Sequence, residues 1–374
     1  MYDCRRPPGD DRPMSAIYGA TIEQAVFAEQ LGYDSVWFTE HHFLPDGYLP
    51  AFQPLAGAIA ARTTRVRLST DIAILPLYHP VRLAEELAVL DNLSGGRIEF
   101  GIGMGYVPDE FRAFGVPYAN RVSMTEEGIE ILRRAWSDGP FSFHGRRYDL
   151  DDLNVFPKPV QPGGPPLWIA AVRRAGALRA ARLGTNLLPQ TSRSEVLDPW
   201  LEAVRAAGRD PAEHRVGIIR SFLVTDDPER DWAIWKPAER YRMSVYRDMM
   251  RATPDDYGRG WGDGDAIPQT VFVGTADECV AELLANGAPV DGLDVFSNTA
   301  LHVMIAANDS EDTVLRLLTS RADPNHGNDD GNTALHIAAL HNRPRSLQQL
   351  LLHGGHPTIL NVYGLSAHDI AARR

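Results

Sequence analysis

Lysine, cysteine and long apolar stretches are scarce in this 374-residue chain, and each scarcity excludes a class of protein. Lys158 and Lys236 are the only lysines, and the formal net charge is -12. Because nucleic-acid binding needs a basic face, this charge argues against a nucleic-acid partner. The two cysteines, Cys4 and Cys279, have no metal-ligand spacing, which predicts free thiols and neither a disulfide framework nor a metal site.

The apolar stretches are too short, and too often interrupted by charge, to cross a bilayer. Residues 1–13 contain no apolar segment typical of a secretory signal. We therefore expect a cytoplasmic protein without a membrane partner. The hydrophobic share of 44% is ordinary for a globular protein, and the length accommodates one large domain and one small one.

The composition changes near residue 290. The seven tryptophans all precede Gly262, whereas seven of the twelve histidines follow Asp291. Such a shift indicates a domain boundary. We predict a first domain over residues 1–290 and a second over residues 291–374.

The first domain alternates strand-like and helix-like segments. Repeated β/α units with apolar strands indicate a parallel sheet that is covered on both faces. Six or more units in about 280 residues favour a closed (β/α)8 barrel over the alternative, an open doubly wound sheet. The predicted strands are Asp34–Glu40, Arg65–Pro76, Arg97–Met104, Pro166–Ala171, Asn186–Leu188 and a long one over Arg215–Thr225. The predicted helices are Thr21–Leu31, Pro54–Arg62, Val81–Leu93, Glu126–Trp136, Ala175–Leu183 and Ser194–Ala207.

The second domain contains a repeat. The residues SNTALH at 297–302 return as GNTALH at 331–336, and a weaker copy follows at 364–368. A period near 33 with T-A-L-H and a second apolar helix is typical of ankyrin repeats, which are all-α. His302 and His336 are then framework residues that brace adjacent turns. Each helix pair buries its apolar face only by stacking on a neighbour, so such a short array needs support.

The junction between the domains leaves two interpretations open. We favour Ala276–Gly287 as a late helix of the barrel, although it could also lead the ankyrin array. Val290–Phe296 fits the closing strand of the barrel and an ankyrin turn equally well.

Five segments before the junction carry a specific resemblance. They are GYDSVWFTEHHF (32–43), the stretch from RVRLSTDIAILP to RIEFGIGMG (65–105), FGVPYANR (114–121), PLWIAAVRRAGALRAARLG (166–184) and VFVGTADECVAEL (271–283). These segments resemble the bacterial-luciferase-like family of flavin-dependent oxidoreductases. The resemblance implies a TIM barrel with a flavin at the carboxyl ends of its strands. In that family the first strand begins earlier, so only Met1–Cys4 is expected to remain of it.

The catalytic candidates are Glu40 and His41, which follow the first complete strand together with His42. A barrel places its catalytic groups at such strand ends. The resemblance implies that His41 lies beside the flavin and assists proton transfer, for which an imidazole titrating near neutrality is suited. Glu40 would orient its neighbours. From the residues alone, a satisfied buried pair of Glu40 and His41 that caps the strand is the favoured interpretation, and no third ligand suggests a metal.

The cofactor-binding candidates follow from the resemblance. Asp71, Ala73 and Ile74 would lie along the flavin ring, and Gly103 and Met104 lie where the barrel makes room for it. Arg121 would bind the flavin phosphate. The last group, at the turn from a strand into a helix N-terminus, consists of Ala171, Val172, Arg173 and Gly176. Met104 stands where luciferases carry arginine. The glycines at 101, 103 and 105 do not match the dinucleotide fingerprint, so NAD is not expected.

The resemblance implies a monooxygenase that uses reduced FMN and O2 on a small organic substrate. The sequence contains no recognisable reductase segment, so reduced flavin would come from a partner flavin reductase. The deazaflavin F420, acting as a hydride carrier without oxygen, is the alternative cofactor. The rival function is a protein-interaction scaffold in which the ankyrin repeats bind a protein partner and the barrel is inactive.

Overall fold

The computed structural model describes residues 1–190, 193–219, 221–251, 253, 271–285, 297–307 and 311–372. The chain forms two compact units. The first comprises Met1–Ile219 and Ala238–Ala266, and the second comprises Arg220–Pro237 and Ile267–Arg374. Each unit has a hydrophobic core of its own.

The first unit is built from alternating helices and short strands. Its helices are α1 (Met14–Gln30), α2 (Gln53–Ala60), α3 (Pro80–Ser94), α4 (Pro108–Ala113), α5 (Arg121–Trp136), α6 (Arg174–Leu183) and α7 (Asp198–Ala206). Its strands are β1 (Ser35–Phe38), β2 (Arg67–Thr70), β3 (Ala73–Ile74), β4 (Phe100–Gly103), β5 (Phe141–His144), β6 (Asp149–Leu153), β7 (Leu167–Ala171) and β8 (Asn186–Pro189).

Parallel pairing follows chain order through this unit. β1 pairs with β2, and Leu68 of β2 forms a bridge with Ile98 just before β4. β4 pairs with β7, which pairs with β8, and β3 also lies beside β4. An open doubly wound sheet reverses its strand order, whereas a (β/α)8 barrel keeps chain order. The described pairing therefore follows the barrel order, in agreement with the sequence-based expectation.

The two ends of this strand series are reduced to single bridges. Tyr2 donates its backbone N–H to Trp37 and accepts from Thr39, so it lies parallel to β1 in the place of a preceding strand. Tyr2, in the segment expected to belong to the first strand, therefore lies beside β1. At the other end, Val216 forms a parallel bridge with Leu187 of β8.

The prediction of one long strand over Arg215–Thr225 was wrong. Val216 forms only the bridge to β8, and a strand resumes at Ser221 in the second unit, where its partner is a different strand. The prediction rested on alternating apolar residues, but a segment forms a strand only where its backbone pairs with a neighbouring strand. The predicted strand Arg65–Pro76 is likewise divided into β2 and β3, with a cis peptide between Asp71 and Ile72.

Two faces of the strands bury different kinds of side chain. Phe100 and Ile102 of β4 are fully buried in the core beneath the helices. Glu99 projects from the opposite face and accepts a hydrogen bond of 2.7 Å from Trp168 Nε1. Arg67 and Arg215 form ion pairs with the same carboxylate. An ionised carboxylate inside a protein is tolerated because charged and polar donors surround it.

The second unit begins with strand β9 (Ser221–Val224), followed by helix α8 (Pro228–Arg251), strand β10 (Val271–Gly274) and helix α9 (Ala276–Ala285). β9 and β10 pair in parallel. Residues 238–251 of α8 belong to the first unit. Five helices complete the second unit: α10 (Ala300–Ala307), α11 (Glu311–Thr319), α12 (Ala334–Leu340), α13 (Pro344–Leu352) and α14 (Ala367–Ala372).

The contacts of helix α9 fit both interpretations of the junction between the domains. It follows β10 directly, as a barrel helix follows its strand, and Val280 on α9 also packs against the ankyrin core. The favoured and the alternative interpretation of Ala276–Gly287 therefore both describe contacts that this helix makes within the second unit. Val290–Phe296 and the predicted boundary at residue 290 lie outside the described residues, and that boundary stays a prediction.

The repeated histidines brace successive ankyrin turns. Thr333 begins α12, and its backbone N–H donates to His336 Nδ1 at 3.1 Å. Because Nδ1 accepts that proton, Nε2 carries the ring hydrogen and donates to the carbonyl of Leu365 at 3.0 Å. His302 repeats this arrangement, with Nδ1 on Thr299 and Nε2 on the carbonyl of Asn332. The framework role expected for both histidines agrees with this geometry.

We expect His336→Ala to destabilise the second unit by about 2 kcal/mol, because it removes the acceptor for Thr333 at the start of α12 and one of the two donors to the carbonyl of Leu365. Urea denaturation and amide hydrogen exchange at residue 365 measure the effect. His341→Ala is the matched control, since His341 is exposed one turn further along, and we expect a change within about 0.5 kcal/mol. Equal stabilities for the two variants would contradict the bracing role.

Among the described residues, no helix is both long and apolar enough to span a membrane. Within the same part of the chain, no group of three or more His, Cys, Asp or Glu side chains is arranged to hold a metal ion.

Candidate active site

His41 is the centre of a hydrogen-bonded chain beyond the carboxyl end of β1. Its Nδ1 lies 2.9 Å from Oε1 of Glu110, which projects from α4. The same oxygen accepts the backbone N–H of His42 at 2.9 Å. Both side chains are buried, with 8% of His41 and 2% of Glu110 exposed. A buried carboxylate holding Nδ1 fixes the ring orientation and favours the proton on that nitrogen.

The other ring nitrogen of His41 faces a tyrosine. Tyr106, just beyond β4, has its hydroxyl 3.0 Å from Nε2. When Nδ1 carries the ring hydrogen and donates it to Glu110, Nε2 accepts a hydrogen bond from the hydroxyl of Tyr106. The order Glu110, His41, Tyr106 is therefore a carboxylate, imidazole and hydroxyl in line, an arrangement that can move a proton to or from the hydroxyl end.

Glu40 pairs with His42 and not with His41. Its Oε1 lies 2.9 Å from His42 Nε2, and its Oε2 accepts from the backbone of Ile74 at 3.2 Å and from the hydroxyl of Tyr78 at 2.8 Å. Burial and the neighbouring carboxylate raise the pKa of Tyr78. Glu40 thus ties the end of β1 to the region after β3. The alternative expectation of a Glu40–His41 pair was wrong, because successive residues of an extended segment point to opposite sides.

Two further tyrosines surround His41. The ring of Tyr48 lies 4.9 Å from the imidazole and that of Tyr246, on α8, lies 6.1 Å away, both edge-on. Their hydroxyls are 2.8 Å apart. Burial raises the pKa of both hydroxyls, so they remain protonated. Arg5 covers both rings, with its Cζ 4.6 Å and 5.1 Å from their centroids.

Of the residues expected along the flavin ring, Asp71 is partly exposed, whereas Ala73 and Ile74 are 0% and 1% exposed. Ala73 and Ile74 pair with Ile102 and Gly103 of β4. Their side chains are therefore packed within the protein, and a ligand could reach them mainly at the backbone. Burial raises the pKa of Asp71 from 3.8 to about 6, against the opposing effect of the N-terminal ammonium group.

We expect Asp71→Asn to stabilise the protein at pH 8 by about 1–3 kcal/mol. The folded pKa lies above the ordinary value, so the folded state binds this proton more tightly than the unfolded state does. The carboxylate therefore destabilises the fold fully above pH 6, and this penalty disappears as the pH falls towards 4. Urea denaturation at pH 8 and pH 4.5 measures the difference, which should be larger at pH 8. A gain that is independent of pH would contradict the assignment.

The glycines of β4 allow close approach of their neighbours. A Cβ on Gly103 would lie 1.8 Å from the side chain of Ile72, and one on Gly101 would lie 1.8 Å from the carbonyl oxygen of Thr70. Met104, the next residue after β4, is partly exposed. The expected space at Gly103 is therefore filled by Ile72 in this structure.

The phosphate-binding candidates lie at two helix starts. Arg121 is the first residue of α5, and its guanidinium stacks on the ring of Tyr118 at 4.0 Å. Arg173 precedes α6 and is exposed, and Val172 before it is partly exposed. Like Asp71 and Met104, these three residues retain surface that a ligand can reach.

Two of the candidates at α6, Ala171 and Gly176, are explained by close packing of the helix on β7. A Cβ on Gly176 would lie 3.1 Å from the side chain of Ala171, so glycine lets the helix approach β7. Both residues are buried. At the helix start, the backbone N–H of Arg174 faces the carboxylate of Glu195 at 3.4 Å. An acidic side chain thus lies at the end where an anionic phosphate was expected.

The sequence-based reasoning missed five residues around His41: Glu110, Tyr106, Tyr48, Tyr246 and Arg5. Of these, Tyr106 had an available signal, because it lies just beyond a strand whose end was already assigned to the site. The other four, Glu110 on α4 among them, carry no local pattern that joins them to His41. Only tertiary structure brings them to His41.

The surroundings of His41 fit a flat polar cofactor such as a flavin. Arg5 Nη1 and Glu110 Oε2 are buried, and neither finds a hydrogen-bond partner among the described residues. An unpartnered donor and an unpartnered acceptor are costly inside a protein unless a ligand or water satisfies them. A heteroaromatic ring system with N–H donors along its edge would satisfy Glu110 Oε2, and Arg121 supplies a cation for a phosphate.

Comparison with known proteins agrees with this fold. The family described as Luciferase-like monooxygenase matches residues 5–289, and the ankyrin repeat family matches residues 270–361. The two matches overlap at α9. The solved structure of the monooxygenase RslO1 from Streptomyces bottropensis superposes with a TM-score of 0.60 at 26% identity, over 73% of this chain and 90% of the other. The predicted fold class, a TIM barrel followed by an ankyrin segment, is confirmed.

Curated relatives include an enzyme that depends on F420. The F420-dependent glucose-6-phosphate dehydrogenase of Kineococcus radiotolerans is 33% identical over 64% of this chain and 79% of its own length. The protein y4vJ of Sinorhizobium fredii is 30% identical over 59% of this chain. The match spans 64% of y4vJ, which is less than two thirds of that relative. The match over residues 5–289 covers more than half of the chain, and the protein therefore belongs to the luciferase-like monooxygenase family, with ankyrin repeats following its barrel.

Proposed function

We propose that this protein is a flavin-dependent monooxygenase that uses reduced FMN and O2 to oxidise a small organic substrate. The observation that carries the proposal is the chain Glu110, His41, Tyr106 at the carboxyl ends of β1 and β4. Family membership supplies the reaction class, and this chain supplies a way to move the proton that oxygen transfer requires.

Glu110 orients the imidazole. Its Oε1 accepts from His41 Nδ1 and from the backbone of His42, so the ring cannot turn without losing a buried hydrogen bond. Glu110 is therefore a positioning residue.

His41 and Tyr106 exchange the proton. In the resting arrangement Nε2 accepts from the tyrosine hydroxyl, and a reacting oxygen at the site would draw a proton from the same pair. Tyr48 and Tyr246 shield the imidazole from water with their ring edges. Exclusion of water strengthens each electrostatic contact inside the site.

Bound reduced FMN would supply two electrons, so that one oxygen atom of O2 enters the substrate and the other leaves as water. Arg121 would hold its phosphate, and the ends of β3 and β4 would lie along its ring. A separate reductase would provide the reduced cofactor. Use of F420 as a hydride carrier is the second candidate, and the 33% identity to an F420-dependent dehydrogenase favours it.

The cofactor is tested by titrating purified protein with FMN and with F420 under the same conditions. Binding of FMN and substrate-dependent oxygen uptake with reduced FMN support the proposal. Tight binding of F420 with turnover that needs no oxygen would replace it by the second candidate. Binding of neither cofactor would contradict both.

The ankyrin segment supports a role in binding a protein partner. Its match to ankyrin repeats and its separate core favour this as an additional function. A scaffold with an inactive barrel is distinguished from an enzyme by the cofactor titration. Capture of one partner by full-length protein but not by a variant that disrupts the α12 cap would support the scaffold function.

A further inference from the structure

We propose that Arg5, Tyr48 and Tyr246 form a subsite beside His41 that binds an acidic oxygen of the substrate, a carboxylate or a phenolate. The inference rests on the proposed function, because it assigns a substrate class to the same site.

Arg5 has a donor without an acceptor in a buried position. Its Nε and Nη2 bond to Asp3 Oδ2 at 2.9 Å and 2.6 Å, and its side chain is only 5% exposed. Its Nη1 is buried and finds no acceptor in the part of the chain that the structure describes. A guanidinium engaged on one edge by a carboxylate has its other edge left for a second oxygen.

The two tyrosines connect this donor to His41. Arg5 covers the rings of both tyrosines, and both rings meet the imidazole edge-on. Their hydroxyls form a pair at 2.8 Å. An oxygen bound at Nη1 would therefore place the rest of a small substrate next to the residue that we assign to proton transfer.

The carboxylates near the subsite do not satisfy Arg5 Nη1, and the tyrosine hydroxyls beside it are neutral. Asp3, Asp46 and Glu239 are each already engaged: Asp3 by Arg5, Asp46 by the backbone of Tyr48 and the hydroxyl of Tyr241, and Glu239 by Arg242. Burial raises the pKa of Tyr48 and Tyr246, so the hydroxyl pair is protonated. A cationic donor beside protonated hydroxyls is complementary to an oxygen that carries negative charge.

The test compares acids with their neutral amides. Calorimetric titration of full-length protein, with and without FMN and without turnover, uses benzoate and acetate against benzamide and acetamide. We expect wild-type protein to prefer at least one acid over its amide by about tenfold or more. Arg5→Met should abolish that preference. Arg12→Met, which removes an exposed arginine from the same segment, should retain it.

Three outcomes would overturn the subsite: no preference for either acid in wild-type protein, an unchanged preference in Arg5→Met, or a loss of FMN affinity in Arg5→Met without a change in acid binding. The last outcome would assign Nη1 to the cofactor. If Arg5→Met does not fold, Tyr246→Phe takes its place, and a preference within about twofold of wild type would overturn the proposal. Acid binding without FMN binding would refute the proposed function and leave the subsite intact.

Discussion

Replacing His41 with alanine is expected to lower kcat by about 100-fold to 10,000-fold and to leave the dissociation constant of FMN nearly unchanged. A positioned general acid or base contributes a rate factor of this size. FMN affinity should persist because the imidazole is already engaged by Glu110 and Tyr106 and is not needed to hold the cofactor. Stopped-flow kinetics with a substrate that the wild-type protein oxidises measure kcat. Fluorescence titration measures the dissociation constant of FMN.

Variants of the neighbours should give a graded series. Tyr106→Phe keeps the ring and removes the hydroxyl, and Glu110→Gln keeps the shape and removes the charge, so each should lower kcat by about 10-fold to 100-fold. His79→Ala is the control, because His79 is exposed and its side chain does not cap α3. A normal kcat in His41→Ala would refute the proton-transfer role. Equal losses in His41→Ala and His79→Ala would indicate a general structural effect.

Replacing Gly101 with alanine is expected to destabilise the first unit by about 3 kcal/mol or more. The added Cβ would lie 1.8 Å from the carbonyl oxygen of Thr70 and 3.0 Å from its carbon, so β2 and β4 would have to separate. Overpacking against a flexible side chain can be relieved by a change of rotamer, but a clash with backbone cannot. The movement would also disturb the hydrogen bonds that Thr70 Oγ1 makes with Gly101.

A second glycine provides the matched control. Gly19 lies within α1, and a Cβ there would meet no atom within 4 Å. Gly19→Ala should stabilise the unit by about 0.5–1 kcal/mol, because alanine is the better helix former. Denaturation followed by tryptophan fluorescence reports on both variants, since Trp37 and Trp168 lie in contact next to β4. Equal stability of Gly101→Ala and wild type would show that the strands can move apart at little cost.

The sequence predicted those elements whose signal is local. The boundaries of α3 follow from Pro80 at its start and from Gly95 in the left-handed conformation at its end. The T-A-L-H repeat predicted the ankyrin helices and the role of His336 because the capping contacts lie within a few residues. The strand Arg215–Thr225 was predicted wrongly because an alternating pattern does not say which partner each residue will find.

The predictions for the candidate site divide in the same way. His41 was found because it directly follows a strand, and strand ends are where a barrel exposes its reacting groups. The alternative of a Glu40–His41 pair was wrong, since Glu40 contacts His42 and His41 contacts Glu110. Glu110 lies 69 residues from His41, and no local pattern could have joined them.

The sequence by itself determined the family, the alternation of helices and strands in the first domain, the repeat and the position of His41, because each depends on neighbouring residues or on a fixed period. Tertiary structure alone decided which groups surround that histidine. Arg5, Tyr48 and Tyr246 come from a loop, a second loop and a late helix, and they meet because the strand ends gather at one side of the sheet. The physical reason is that hydrogen-bond partners and desolvation depend on distance in space, which sequence separation does not measure.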